Sequence, residues 1–145
     1  MTKQNKCFYC TKDEKLQSLM SKICSLQVST LYLNKDQTHK GRCIIAFHEH
    51  KNELFELDDS NLQLFMDDVA NAAEALKAVF GANKINYAIY GDLVPHLHFH
   101  LVPKYEHDKE WGEAFTNNPN KKQIINVESF EKRVASIYEH LHKTL

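Results

Sequence analysis

The chain predicts an α+β fold, an antiparallel sheet of about five strands with two main helices plus a C-terminal helix. Three observations predict it. Apolar residues recur at three- and four-residue steps over Asp13–Ile23, Ser60–Gly81 and Glu128–His142, the stripe of an amphipathic helix. Between these stretches lie runs rich in β-branched and aromatic residues, which read as strands. Short turns rather than regular crossover helices separate neighbouring strands, and that favours antiparallel pairing.

The first helix covers Asp13–Ile23, with Leu16, Leu19, Met20 and Ile23 on one side and Asp13 and Glu14 suited to its first turn. Val28–Leu33 and Arg42–His48 follow as strands, the second mostly buried, joined by the polar hairpin loop Asn34–Gly41. Ser60 is placed to cap the longest helix, whose stripe of Leu62, Phe65, Met66, Val69, Ala73, Leu76 and Val79 runs to a stop at Gly81. Lys84–Tyr90 and Pro95–Val102 read as two strands around a Gly91-Asp92 turn. Tyr105–Asn126 is polar and reads as a long surface loop. Phe130, Val134, Ile137 or Tyr138, and Leu141 then define the terminal helix. The sequence has no internal repeat and no low-complexity segment.

A chain of 145 residues with 43% hydrophobic and 26% charged side chains supports one full-sized core without staples. Its net charge of −1 gives no global field toward nucleic acid polymers or an anionic membrane, so any phosphate must be met locally. The N-terminal MTKQNKCFYCTKDEK has no apolar segment of signal-peptide length, and no run of about 18 apolar residues occurs anywhere. A cytoplasmic protein, neither exported nor membrane-spanning, is expected. In that reducing compartment Cys7, Cys10, Cys24 and Cys43 are expected as free thiols or metal ligands. Cys24, ending the first helix, and Cys43, starting a strand, read as small core residues.

The nine histidines are the compositional oddity, and their clustering directs attention to one strand. His96-Leu97-His98-Phe99-His100-Leu101-Val102 alternates imidazole and apolar side chains. On a strand rising about 3.3 Å per residue the three rings share one face, each about 6.6 Å from the next, while Leu97, Phe99 and Leu101 anchor the other. Three readings follow. The rings are solvent-facing polar positions, or they ligate one metal, or one neutral imidazole attacks phosphorus while its neighbours donate to the developing charge. Ligands on one metal lie only about 3–3.5 Å apart, so a single strand lends two imidazoles to it more readily than three. A ring with an ordinary pKa of about 6.5 is largely neutral at cytosolic pH and keeps a lone pair for attack.

His96-x-His98-x-His100 followed by two apolar residues, in the setting Asn86…Gly91-Asp92-Leu93-Val94-Pro95, resembles the signature of the histidine triad family in its bacterial members. Gly41–His50 resembles the family's strand that ends in a His, and Cys7-Phe8-Tyr9-Cys10 the N-terminal CxxC of its zinc-bearing branch. The resemblance covers roughly residues 7–112 of a single domain spanning 1–145, with 113–145 adding a loop and the C-terminal helix. It implies a homodimer whose sheets join edge to edge and a nucleotide or nucleotide conjugate as substrate. The implied reaction is hydrolysis or nucleotidyl transfer at the α-phosphorus of a phosphoramidate, an adenylylated group or a dinucleoside polyphosphate.

Carried over, the resemblance makes His98 the nucleophile that forms a nucleotidyl-imidazole, with His96 and His100 completing the catalytic set. Asn34 and Asn86, together with His98 and His100, are the implied nucleotide contacts. Asp92 and Leu93 stand where relatives often carry Gln and Ser or Thr, and Ala46-Phe47-His48 lacks the Pro frequent before the upstream His. Leu93 cannot help a leaving group depart. That supports, as an alternative, a non-catalytic nucleotide-binding regulatory module. A metal-dependent hydrolase with the triad as ligands is the other alternative.

Cys7-x-x-Cys10 alone is compatible with a redox pair, half a zinc site or coincidence, and it lacks the βαβ setting of a redox motif. The resemblance implies a closed, structural zinc site formed by Cys7, Cys10, His50 and His96. His48 competes with His50, because residues two apart on a strand face the same side. His39, His107, His140 and His142 are expected at the surface. Trp111 is expected either to cover the active site or the partner's site, stacking on a base, or to anchor its loop in the core.

Overall fold

Side chains on successive strand residues point to opposite faces, so a sheet covered on both faces needs two separate sets of apolar partners. The computed structural model describes residues 7–144; residues 1–6, part of the N-terminal segment read for export signals, lie outside them. One antiparallel sheet contains β1 (Met20–Ser25), β2 (Ser29–Asn34), β3 (Cys43–Phe47), β4 (Lys84–Ile89) and β5 (His98–Lys104), in the order β1-β2-β3-β5-β4. The helices are α1 (Phe8–Thr11), α2 (Glu14–Leu19), α3 (Asp59–Phe80) and α4 (Val127–Thr144). The α+β, five-stranded antiparallel fold expected from the sequence is the fold observed.

Leu31, Leu33, Cys43, Ile45, Phe99 and Leu101 turn to one face and pack with Phe65 and Leu76 of α3 and Ile137 and Leu141 of α4. Each large side chain buried there contributes about 1.5–3 kcal/mol. On the opposite face Tyr32, Ile44 and Ala46 receive Cys7, Tyr9, Leu16 and Met20 from the N-terminal segment. Ile44 stands opposite His100 and Ala46 opposite His98 across the β3–β5 ladder. Directly opposite residues share a face, so both imidazoles emerge on this second side, under the N-terminal segment.

Several boundaries differ from the sequence reading. The helix expected over Asp13–Ile23 stops at Leu19, and Met20–Ser25 becomes β1. A shift of register between Lys22 and Cys24 leaves the adjacent Ile23 and Cys24 both buried. That bulge removes the alternation by which a strand is recognised, and the ladder to β2 outweighs the local helical spacing. Cys24 and Cys43 do lie in the core. The cap of α3 is Asp58 rather than Ser60, its side chain accepting from the Asn61 N–H at 2.8 Å. Gly81 ends that helix in the left-handed conformation, φ 62°.

The strand expected from Pro95 begins only at His98, and residues 90–97 form a longer connection than the expected two-residue turn. His96 therefore precedes the strand. Residues 105–126 carry no helix or strand, as expected, but they are tied down. The ammonium of Lys104 donates to the carbonyls of Glu110 and Glu113 at 2.9 and 2.6 Å. His39 donates from Nε2 to the Thr116 carbonyl at 2.7 Å, its side chain only 12% exposed, so it is a packed strut and not a surface residue. His107 and His142 are exposed, and His140 pairs with Glu74 at 2.9 Å. Among the described residues no helix is long and apolar enough to cross a membrane.

Asp68 holds the β1–β2 turn to the long helix. It is 2% exposed, and its carboxylate accepts from the N–H and side-chain amide of Gln27, both at 3.2 Å, the N–H of Val28 at 2.9 Å and the hydroxyl of Ser29 at 2.7 Å. Removing it strands those donors, at about 1–3 kcal/mol for each one left without a partner. Asp68→Ala should destabilise the fold by about 2–4 kcal/mol in a denaturant titration. Asp68→Asn, which keeps two acceptor positions, should lose less.

Candidate functional site

Two sites meet at His96. Its Nε2–H donates to the Phe47 carbonyl at 2.7 Å, which leaves Nδ1 with the lone pair. That nitrogen lies 3.3 Å from Cys7 Sγ, 3.5 Å from Cys10 Sγ and 3.2 Å from His50 Nδ1, and Cys10 Sγ is 3.3 Å from His50 Nδ1. All four ligand atoms lie within 4.8 Å of one another, as a group able to hold a metal ion requires. A tetrahedral ion with bonds of about 2.0–2.3 Å needs its ligand atoms about 3.3–3.8 Å apart. The carbonyl-fixed tautomer is how proteins usually aim an imidazole at a metal. His48 stays outside: β3 ends at Phe47, the alternation that put His48 in competition stops there, and its side chain is exposed.

His98 and His100 stand apart from that group, so the three-imidazole metal site considered from the sequence does not form. His98 Nδ1–H donates to the carbonyl of His96 at 2.5 Å. Its Nε2 is therefore the nitrogen with the free lone pair. Burial lowers the His98 pKa against the opposing pull of that hydrogen bond, which favours the neutral ring. Tyr9 covers the rings of both His96 and His98, with centroids 5.3 and 5.1 Å away.

His98 and His100 line a cavity of about 670 Å³, together with Tyr9, Asn34, Arg42 and Asn117. Its rim carries Lys35, Asp36, Lys122 and Leu93, the last 94% exposed. Asn34 faces this cavity from the end of β2, its side-chain amide donating to the Asp36 carbonyl at 3.1 Å. Asn86 does not line it. Asn86 pairs with Val102, further along the ladder than His100, and lies in a separate depression with Lys84, Lys104, Trp111 and Gly112. Trp111 is 41% exposed there, so it neither anchors the core nor covers this chain's own histidines.

Sequence reasoning missed Arg42. Only 5% exposed, it sends Nη2 to within 3.0 Å of His100 Nδ1 and 2.8 Å of Asn117 Oδ1, and Nη1 to within 2.8 Å of the Asn117 carbonyl. One signal was available: alternation puts Arg42 on the same face as Ile44 and Ala46, where a cation is out of place among apolar neighbours. Burial, then the Arg42 cation, then His98 push the His100 pKa down to about 3.

Residues 15–107 match the HIT domain. The chain belongs to the histidine triad (HIT) family, a family of nucleotide hydrolases and transferases. An uncharacterised HIT-like protein of Methanocaldococcus jannaschii is 31% identical over 83 residues, 54% of this chain; the match spans 64% of that protein, under two thirds of its length. Among solved structures the chain is similar to a histidine triad protein of Sinorhizobium meliloti 1021, with 25% identity, TM-score 0.78 and 88% and 94% of the two chains covered. It shares its fold with a zinc-bound histidine triad family protein of Mycobacterium smegmatis, with 17% identity, TM-score 0.70 and 97% and 96% covered.

A depressed histidine pKa carries a signed consequence. The unfolded chain takes up a proton at His100 below about pH 6.5 that the folded chain refuses until about pH 3. This contribution to stability is complete above pH 6.5 and is lost as pH falls through that window, by up to about 1.4 kcal/mol per pH unit. Denaturant midpoints measured between pH 7.5 and 5 should fall accordingly. His100→Gln, which can still accept from Arg42 but does not titrate, should flatten part of that slope.

Proposed function

We propose that this protein is a nucleotide hydrolase or nucleotidyl transferase that acts on the α-phosphorus of a nucleotide conjugate through a nucleotidyl-His98 intermediate. The observation that carries the reading is the Nδ1–H of His98 on the His96 carbonyl, which commits Nε2 as the nucleophile at the wall of a cavity large enough for a nucleotide. Nε2 forms the bond to phosphorus while the bond to the leaving group breaks, and that group departs with the electron pair. The His96 carbonyl stabilises the positive charge that grows on the ring. Water or another acceptor then attacks phosphorus, loses a proton, and returns the P–N pair to His98. His100 donates to a non-bridging oxygen as charge builds, and Asn34 contacts the nucleoside side of the cavity. Asn86 is reserved for a site completed by a second copy, consistent with β4 being an edge strand with Tyr87 and Ile89 exposed.

Cys7, Cys10, His50 and His96 are proposed to hold zinc. Two thiols and two imidazoles are the donor set of structural zinc sites, and the bound ion would pin the N-terminal segment to the sheet while taking no part in bond making. A second reading, a nucleotide-binding module without turnover, is favoured by Leu93, which offers the cavity rim no polar atom for a leaving group.

The test is turnover on a panel of adenosine and guanosine phosphoramidates and dinucleoside polyphosphates. His98→Ala should abolish transfer with nucleotide binding retained, and His100→Ala should slow it by about 10²–10³. Binding without turnover across the panel would leave the regulatory module as the function. For the metal, purified protein should carry one zinc per four-residue cluster by elemental analysis. Cys10→Ser or chelation should lower the melting temperature, His50→Ala should release the ion, and His48→Ala should retain it.

A further inference from the structure

Arg42 is buried without the partner a buried arginine ordinarily takes. Among the described residues no carboxylate forms a salt bridge with it, and its Nε is buried without a hydrogen-bond partner. Its two terminal nitrogens meet three acceptors: the carbonyl and side-chain oxygen of Asn117, each at 2.8 Å, and Nδ1 of His100 at 3.0 Å. The Phe115 ring lies 5.3 Å below the guanidinium carbon, so the plane is held from its face as well as its edge. Burying a cation in this way is costly, and the position is defined by what its fork touches.

A guanidinium has donors and no acceptor, so the His100 nitrogen it meets must present a lone pair. A neutral imidazole with its lone pair on Nδ1 has its proton on Nε2. We propose that Arg42 is a positioning residue: it locks His100 as the Nε2–H tautomer, in one ring orientation, and Asn117 of the long 105–126 loop holds Arg42 in place. His100 then offers the cavity a donor that needs no reorientation as negative charge develops, the condition under which such a donor is most effective. The lock also gives the loop after β5 a part in the site, through one asparagine 75 residues from the arginine it clamps. This inference rests on the reading of His100 as a phosphate donor.

Nitrogen-15 NMR of the histidine rings in ligand-free, full-length protein at pH 7.5 tests it directly. Wild-type His100 should show Nε2 protonated and Nδ1 bare, as a single species. Arg42→Met, which keeps bulk but has no donor, should give averaged tautomers, and Arg42→Lys should restore the wild-type pattern in part. With a substrate from the panel above, Arg42→Met should lower kcat by about 10–10²-fold while KM moves less than about threefold. A proton on Nδ1 in the wild-type protein overturns the proposal whatever the variants do, and so does a folded Arg42→Met with unchanged ring shifts. Because the tautomer is read without turnover, a panel that gives no reaction would sink the proposed function and leave this lock standing. Normal turnover by Arg42→Met would do the reverse.

Discussion

The Nε2–H of His96 on the carbonyl of Phe47 is the bond from which both sites take their shape. It turns the lone pair of Nδ1 toward Cys7, Cys10 and His50, and so places His96 in the group able to hold a metal ion. Beside it, the Phe47 N–H donates to the Leu97 carbonyl and the Leu97 N–H to the Lys51 carbonyl, which ties this segment to the end of β3. With His96 fixed there, its own carbonyl is available to His98 Nδ1 at the first residue of β5. One ring in a set of three thus serves as a strut for the next. The alternating spacing that made the triad visible is shared by residues with different tasks.

Much of this was legible in the sequence, for reasons that can be named. The long helix, the run of short strands and the shared face of His98 and His100 follow from periodicity, which is a local property. The pairing of CxxC with a distant His was legible only through the family resemblance, since nothing local joins Cys7 to a residue 89 positions away. The first helix is shorter than its periodicity suggests because Leu16, Leu19, Met20 and Ile23 fit a helical stripe, whereas a bulge in β1 and a partner strand decide the outcome. The expectation of three rings along one strand face fails at His96 for a similar reason: alternation is a property of strands, and β5 starts only at His98.

What escaped the sequence is the part of the site made by tertiary contact alone. Arg42 meets His100 and Asn117 across 58 and 75 residues, and no motif connects them. The 105–126 loop looked like solvated surface because its composition is polar. Several of its backbone carbonyls are in fact bonded to the rest of the protein: Lys104 holds its first half, His39 and Arg42 its middle, and Gln37 its end. The loop thereby closes one side of the cavity that His98 and His100 line. A polar loop and a buried cation, each unremarkable alone, become informative only when their contacts are known.

In the proposed reaction His98 becomes covalently attached to phosphorus before water or another acceptor completes it. Each in-line displacement inverts the configuration at phosphorus, so a covalent intermediate gives two inversions and a direct attack gives one. The decisive measurement is the stereochemical course of hydrolysis for a substrate with a chiral α-phosphorothioate in oxygen-18 water. Overall retention is the result expected from attack by His98 Nε2. Overall inversion would mean that water attacks phosphorus directly, and would reduce His98 to a binding residue.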